Sequence, residues 1–205
     1  MILKKTLEPY CKALERGIED KNWHLALMAA CTLPDICISL EGKREGKYFN
    51  NDDYINWFDT YVKEYQYTGH RRKGMEKADT LEKHMELIKE PLRPDNLEPF
   101  QIIFFTGVNA YALRCAFLHQ ADGEIARQKV YEKNSKYTNA LKGVEKVKFD
   151  TDLDLIFEQR DNIGFLNPKI YCNAILDGVT DWIKVNEKNN DSKLLNRATN
   201  ILVFE

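Results

Sequence analysis

The sequence predicts a mostly α-helical bundle with a small β-arm near residues 146–157, all in a single domain spanning 1–205. Three observations carry this reading. Apolar residues recur at three- and four-residue spacing along most of the chain, the mark of helices that each bury one face. Alternation of apolar and polar residues is found between Lys146 and Phe157, as a strand or hairpin requires. A length of 205 residues, 43% hydrophobic and 30% charged, suits a soluble globular domain with a substantial core.

The elements follow in order. Leu3, Leu7, Cys11, Leu14 and Ile18 form one stripe and predict a helix over about residues 3–18, broken by Gly17 and the charged Glu19-Asp20-Lys21. Asn22 caps a second helix whose interior, Trp23 to Leu33, is apolar almost all round and belongs in a core. Pro34 either kinks that helix or starts a new turn, with Asp35 near a helix start. Gly42 to Asn51 reads as a loop. Asn51 or Asp52 caps a third helix bearing Tyr54, Ile55, Trp57, Phe58, Tyr61 and Val62, an aromatic face that packing accounts for. Residues 66–98 are mostly polar and read as an arm or insertion, with a thin stripe of Leu81, Met85 and Ile88 and a connector marked by Pro91, Pro94 and Pro99. Thr106 or Asn109 starts a helix with Val108, Ala110, Tyr111, Leu113, Phe117 and Leu118 apolar, which Gln120-Ala121-Asp122-Gly123 ends. Asn167-Pro168 opens a long helix with Ile170, Tyr171, Ala174, Ile175, Val179, Trp182 and Ile183 inside. A short helix over about 193–202 closes the bundle, and no internal repeat is present.

Composition narrows the function. Cys11, Cys31, Cys37, Cys115 and Cys172 are odd in number, scattered and without CxxC spacing, which predicts buried reduced thiols rather than zinc or disulfides. A net charge of −2 argues against a generic nucleic-acid coat. The charge is uneven, however: residues 127–148 hold seven Lys/Arg against two acids, whereas 150–205 hold ten acids against six bases. The basic stretch is either an arm able to hold a phosphate backbone or a solvated helix face balancing an acidic neighbour. No apolar run approaches the roughly 20 residues of a bilayer span. The amino terminus soon becomes charged, so the expected compartment is the cytoplasm, with no membrane partner.

One stretch points to a chemistry: Tyr111-Ala112-Leu113-Arg114-Cys115-Ala116-Phe117-Leu118-His119-Gln120. A guanidinium fork matches phosphate and is always charged, and an imidazole exchanges a proton near neutrality. Arginine and histidine together are the minimum kit for cutting a phosphodiester without a metal. On a straight α-helix, positions five apart lie roughly 140° apart around the axis and about 7.5 Å along it. Arg114 and His119 then do not share one face, and they converge only if the helix frays near Gln120 or a second subunit supplies the other half. The structural alternative pairs Arg114 with an interior acid, Asp35, and leaves His119 to cap a helix C-terminus.

Arg114 and His119 match the Arg-x4–6-His motif of the HEPN superfamily. The chain also resembles HEPN-like proteins in Leu33-Pro34-Asp35-Ile36 and in Tyr54-Ile55-Asn56-Trp57-Phe58-Asp59-Thr60-Tyr61, so the islands cover about Trp23 to Gln120. The resemblance implies an all-α, HEPN-like helical bundle and a metal-independent endoribonuclease without cofactor, in a toxin, phage-defence or RNA-processing role. It implies a homodimer whose two motif helices meet in one composite cleft. His119 would be general base or acid on the RNA 2′-hydroxyl and the leaving oxygen, and Arg114 would hold the scissile phosphate. The products would be a 2′,3′-cyclic phosphate and a 5′-hydroxyl, and an antitoxin or regulatory protein would be a further partner. Active members often carry a polar residue after the motif arginine, whereas Cys115 stands here. The alternative is therefore a catalytically inactive HEPN-like dimeric binding or scaffold module.

Arg71, Arg72 and Lys73 beside His70, and Arg127 with Lys129, are candidate RNA contacts, with solvated turns and faces as the alternative. His24 reads as a core or edge residue and His84 as exposed. HExxH, EF-hand and Walker patterns are absent. Asp150-Thr151-Asp152-Leu153-Asp154 begins like a calcium loop but lacks its glycine and terminal glutamate, and reads as an acidic turn.

Overall fold

The computed structural model of the chain describes residues 2–42, 51–62, 66–72, 97–103, 105–120, 123–128, 144–153, 157–160, 162–189 and 191–199. In chain order the elements are α1 (Ile2–Glu19), α2 (Trp23–Leu40), α3 (Asn51–Tyr61), β1 (Gln66–Arg72), β2 (Leu97–Ile103) and α4 (Gly107–Cys115). A π-turn (Ala116–Gln120) and a 3-10 turn (Ile125–Arg127) follow, then β3 (Lys146–Phe149), β4 (Phe157–Arg160), β5 (Ile163–Leu166), α5 (Pro168–Asn189) and α6 (Ser192–Ala198). They form a mostly helical bundle with minor β content, divided into two compact units: residues 66–104, and the rest of the chain.

In the larger unit α2 is the central helix, packed against α1, α3 and α5. The expected break falls at its charged end: α1 runs through Gly17 to Glu19, and Asp20 and Lys21 form the turn. A Cβ on Gly17 would stand 3.1 Å from the backbone nitrogen of Ala26, so the glycine serves the close approach of α1 and α2. Asn22 caps α2 by accepting from the Leu25 amide at 3.3 Å. Pro34 does not start a new turn, because α2 runs through it. It removes one backbone donor, and the burial of Leu33, Pro34, Cys37 and Ile38 around it holds the helix continuous.

That continuity corrects the expectation that no apolar run nears membrane length. Joined across Pro34, α2 has 18 residues with mean hydropathy 1.4, long and apolar enough to cross a membrane by length and composition, and 56% of it is buried inside the bundle. Its end is capped from a distance: the Arg197 guanidinium of α6 donates to the Leu40 carbonyl at 3.2 Å, where a cation suits the helix dipole. Gly42, at φ 77, makes the left-handed exit.

The core gathers Tyr54 and Phe58 of α3, Phe105, and Tyr171 and Trp182 of α5, all fully buried. Phe105 lies 5.4 Å from Phe157 of the small sheet, which ties that sheet to the bundle. Trp182 donates its indole N–H to Glu41 at 2.7 Å. Asn167 caps α5 as expected, accepting from the Lys169 and Ile170 amides at 2.9 and 3.2 Å. All five cysteines are free thiols; Cys31, Cys37 and Cys172 are buried. Burial pushes the Cys31 thiol up to about 12.

α4 starts after Thr106, whose side chain makes no capping bond. Asp59 of α3 caps it instead, accepting from the Gly107 amide at 2.6 Å. A Cβ on Gly107 would fall 2.4 Å from the Ile55 carbonyl oxygen, so only glycine fits this crossing. Burial raises the Asp59 pKa, and the Gly107 bond opposes that shift. Its net folded pKa lies above the usual value, so the stability this group contributes is fully present below the unfolded pKa and is lost as pH rises through the folded one. Asp59→Ala should cost about 1 kcal/mol through the lost cap, whereas Asp59→Asn, which keeps an acceptor and removes a partly desolvated charge, should be neutral or better at pH 7. Urea unfolding of both variants checks this, and an equal loss in the two would sink the capping account.

The β-arm differs from expectation in extent. Its span, 146–157, holds β3 at one end and only the first residue of β4 at the other. A third strand, β5, lies between them in space, parallel to β3 and antiparallel to β4. The alternation is interrupted at Asp150, whose carboxylate accepts from the Asp152 amide at 3.0 Å in a tight turn. The turn is local and acidic, as the sequence suggested; Asp154 lies outside the described residues.

The smaller unit contains an antiparallel pair, β1 with β2, in the register Gln66↔Ile103 to Arg72↔Leu97. Strands were not expected in this polar segment, and Pro99, read as part of a connector, stands inside β2 opposite His70. A two-stranded ribbon has outer edges on which proline removes no ladder bond. The stripe of Leu81, Met85 and Ile88, with His84, Pro91 and Pro94, lies outside the described residues, as do 129–143 and the last residues of the expected helix 193–202.

Candidate functional site

Three helices meet at Arg114. α2 brings Asp35 one turn after Cys31, α3 brings Tyr54, and α4 brings Tyr111 and Arg114 one turn apart. The Arg114 guanidinium donates from Nε at 2.8 Å and from Nη2 at 2.5 Å to the same Asp35 oxygen, Oδ2. The two side chains are 14% and 8% exposed. The guanidinium carbon lies 5.8 Å from the ring centroids of both Tyr54 and Tyr111. Those rings meet edge to face at 5.6 Å. Arg114 is thus held by an ion pair on one side and by two aromatic faces, each contact adding roughly 0.5–2 kcal/mol.

The electrostatics follow from burial. Desolvation works against the Arg114 charge, but the charge and hydrogen bonds of Asp35 outweigh it, and the pKa is raised. Burial, then the neighbouring Cys115, pushes the Tyr111 hydroxyl up to about 12. Burial also lifts Tyr54 well above its usual range. These hydroxyls stay protonated at neutral pH and cannot serve there as bases. Cys115 Sγ lies 3.9 Å from Arg114 Nη1, a weak contact in the place where a polar side chain was the alternative.

The helix does not stay α after Cys115. Ala116–Gln120 is a π-turn, in which hydrogen bonds span five residues instead of four. The separation expected from the sequence assumes 100° per residue throughout; a wider turn adds less rotation per residue and so narrows it. The turn is anchored by Phe117, whose ring packs on His24 at 5.7 Å and on Phe149 at 5.9 Å. His24 is therefore an exposed edge residue at the start of α2 rather than a core one. The His119 side chain lies outside the described residues.

Arg71 and Arg72 stand in β1, opposite Glu98 and Leu97 respectively. Their side chains, and that of Arg127 in the 3-10 turn, lie outside the described residues, as do Lys73 and Lys129 entirely. The end of the basic stretch, Lys146 to Lys148, is strand rather than helix face, with Val147 buried between two exposed lysines. Among the described residues no three His, Cys, Asp or Glu side chains are grouped as a metal ion would need. Sequence reasoning missed Tyr54 and Tyr111 as partners of Arg114. The three-residue spacing from Tyr111 to Arg114 was the available signal, since such positions are neighbours on a helix. Comparison of the chain with models of known families, with curated proteins and with solved structures finds no match.

Proposed function

We propose that the chain is a metal-independent endoribonuclease of HEPN type, acting as a homodimer in the cytoplasm on RNA. The observation that carries this reading is the junction at Cys115, where a rigidly held arginine passes into a π-turn bearing a histidine. π-turns cost hydrogen-bond geometry and recur at functional sites. In the proposed reaction His119 takes the proton of the 2′-hydroxyl, whose oxygen attacks the adjacent phosphorus. The 5′-oxygen leaves and takes that proton back from the His119 imidazolium, giving a 2′,3′-cyclic phosphate and a 5′-hydroxyl. Arg114, oriented by Asp35, offsets the negative charge that builds on the phosphate. Arg71, Arg72, Lys73, Arg127 and Lys129 are candidate contacts to the rest of the RNA. A toxin, phage-defence or RNA-processing role fits, with an antitoxin or regulatory protein as a further partner.

A second reading has its own observation. Asp35 takes two donors of Arg114 while Tyr54 and Tyr111 cover its faces, which is also how an arginine fixes a bundle. In that case the chain is a catalytically silent dimeric scaffold. Purified protein incubated with single-stranded RNA in EDTA separates the two. The nuclease is expected to give fragments with cyclic phosphate ends; an inert protein over a broad RNA panel overturns it in favour of the scaffold.

A further inference from the structure

The π-turn carries one end of a row of rings. Phe117 stands in it two residues before His119, half-buried, and two other rings meet it. The imidazole of His24, exposed at the start of α2, lies 5.7 Å away at 45°. Phe149, the last residue of β3, lies 5.9 Å away and edge to face at 87°. Phe149 is 36% exposed and is the one aromatic ring among the large exposed apolar side chains of the described residues. A single exposed phenylalanine needs no explanation. Here three rings from α2, the π-turn and β3 are in contact, and the strip they form reaches the surface at His24 and Phe149.

Positive charge is placed next to the strip. Lys146 and Lys148 of β3 are exposed, and no acid stands between Lys146 and Phe149. The backbone of Arg127 is brought to the same strand, because the Val147 N–H donates to the Gly123 carbonyl at 2.8 Å and the Ala126 N–H to the Glu145 carbonyl at 3.2 Å. Lys146 and Lys148 alternate to the face of β3 opposite Val147 and Phe149. Screened electrostatics reaches roughly 8–10 Å, so the lysines attract a polyanion to this strand without sharing its aromatic face. Asp150 and Asp152 begin the next turn and disfavour a phosphate there, which leaves an uncharged group for Phe149.

We infer that the strip is a stacking subsite for an unpaired nucleobase of single-stranded RNA, with Phe149 as the ring the base covers and Phe117 and His24 as its neighbours. The chemistry selects this occupant. Every base has a π-face that stacks on an aromatic side chain, and the bases of single-stranded RNA are free to splay out onto one. An apolar peptide would gain from the rings but nothing from the lysines.

The inference rests on the reading that the chain holds RNA and deepens it: Phe117 and His119 belong to one five-residue turn, so a base seated on the strip fixes a nucleotide near the cut. Fluorescence anisotropy of the full chain with a 2′-O-methyl oligoribonucleotide, which binds but cannot be cut, tests it apart from cleavage. Phe149→Leu, at an exposed position, should weaken binding about 10-fold or more with unchanged circular dichroism. Phe149→Trp should bind at least as tightly as wild type, and Val185→Ala, at an exposed position of α5, should change nothing. An abasic site walked along the oligonucleotide should find one position where the loss is large in wild type and absent in Phe149→Leu. A wild type that binds no oligonucleotide, a Phe149→Leu variant that binds as tightly as wild type, or losses that add at every position would overturn the inference. Cleavage can fail while these results stand. An active nuclease in which they fail keeps the proposed reaction and loses only the subsite.

Discussion

Replacing Asp35 with alanine is expected to destabilise the fold by about 3–5 kcal/mol, the cost of leaving one member of a buried ion pair alone. Arg114 is only 14% exposed, and its charge cannot be relieved by losing a proton. Its contacts with Tyr54 and Tyr111 remain in the variant and offset part of the loss. Arg114→Met should cost a comparable amount for the opposite reason, because Asp35 then keeps a buried carboxylate without its cation. In that variant burial raises the Asp35 pKa. A raised carboxyl pKa means the neutral form is favoured in the folded state, so the loss should be largest at pH 7 and shrink as the pH falls towards about 4. The double variant Asp35→Leu with Arg114→Met removes both charges and keeps apolar volume, and should lie within about 1–2 kcal/mol of wild type. Urea unfolding of wild type, Asp35→Leu, Arg114→Met and the double variant closes the cycle and gives the coupling energy. Additive losses would mean that the pair contributes nothing as a pair.

Much of this arrangement is legible in the sequence, and the parts that are not have physical reasons. The stripes of α1, α3 and α5 and the caps Asn22 and Asn167 are local properties, set by residues three or four apart. So is the need of Arg114 for an interior acid, which pointed to Asp35 before any packing was known. Pro34 leaves two courses open because the rule that proline breaks helices is a statement about local cost, and tertiary burial along α2 decides for the continuous helix. Asp59 as the cap of Gly107, and Arg197 as the cap of Leu40, bridge 48 and 157 residues, and no local window contains both partners. β1 and β2 pair across an equally non-local gap and contain Gly69 and Pro99, residues that argue against strands. The π-turn has no sequence signature of its own. It carries Phe117, which packs between His24 and Phe149, each distant in the chain, so no local window contains its partners.

That turn sets the last expectation, the loss of RNA cleavage in His119→Ala. A positioned general acid–base group contributes about 10²–10⁴-fold to rate, and the variant should fall by that factor while the dimer and its unfolding midpoint stay unchanged. The lack of a structural effect matters as much as the loss. His119 lies beyond the last residue of α4, and Asp35, Tyr54 and Tyr111 hold Arg114 without it. Arg114→Lys should lose about 10²–10³-fold, since an ammonium keeps the charge but not the planar fork that Asp35 orients. Asp35→Asn is the informative intermediate. On the proposed reading Asp35 is a positioning residue, so the variant, with rates normalised to its folded fraction, should lower kcat by a smaller factor than Arg114→Lys with little change in KM. A normalised kcat equal to wild type would instead mean that Asp35 matters only for the fold. If His119→Ala cleaves as fast as wild type, the proton carrier lies elsewhere and the π-turn is a packing feature anchored by Phe117. If it loses cleavage while its unfolding midpoint and association match wild type, the chemistry belongs to the turn and the scaffold reading is lost.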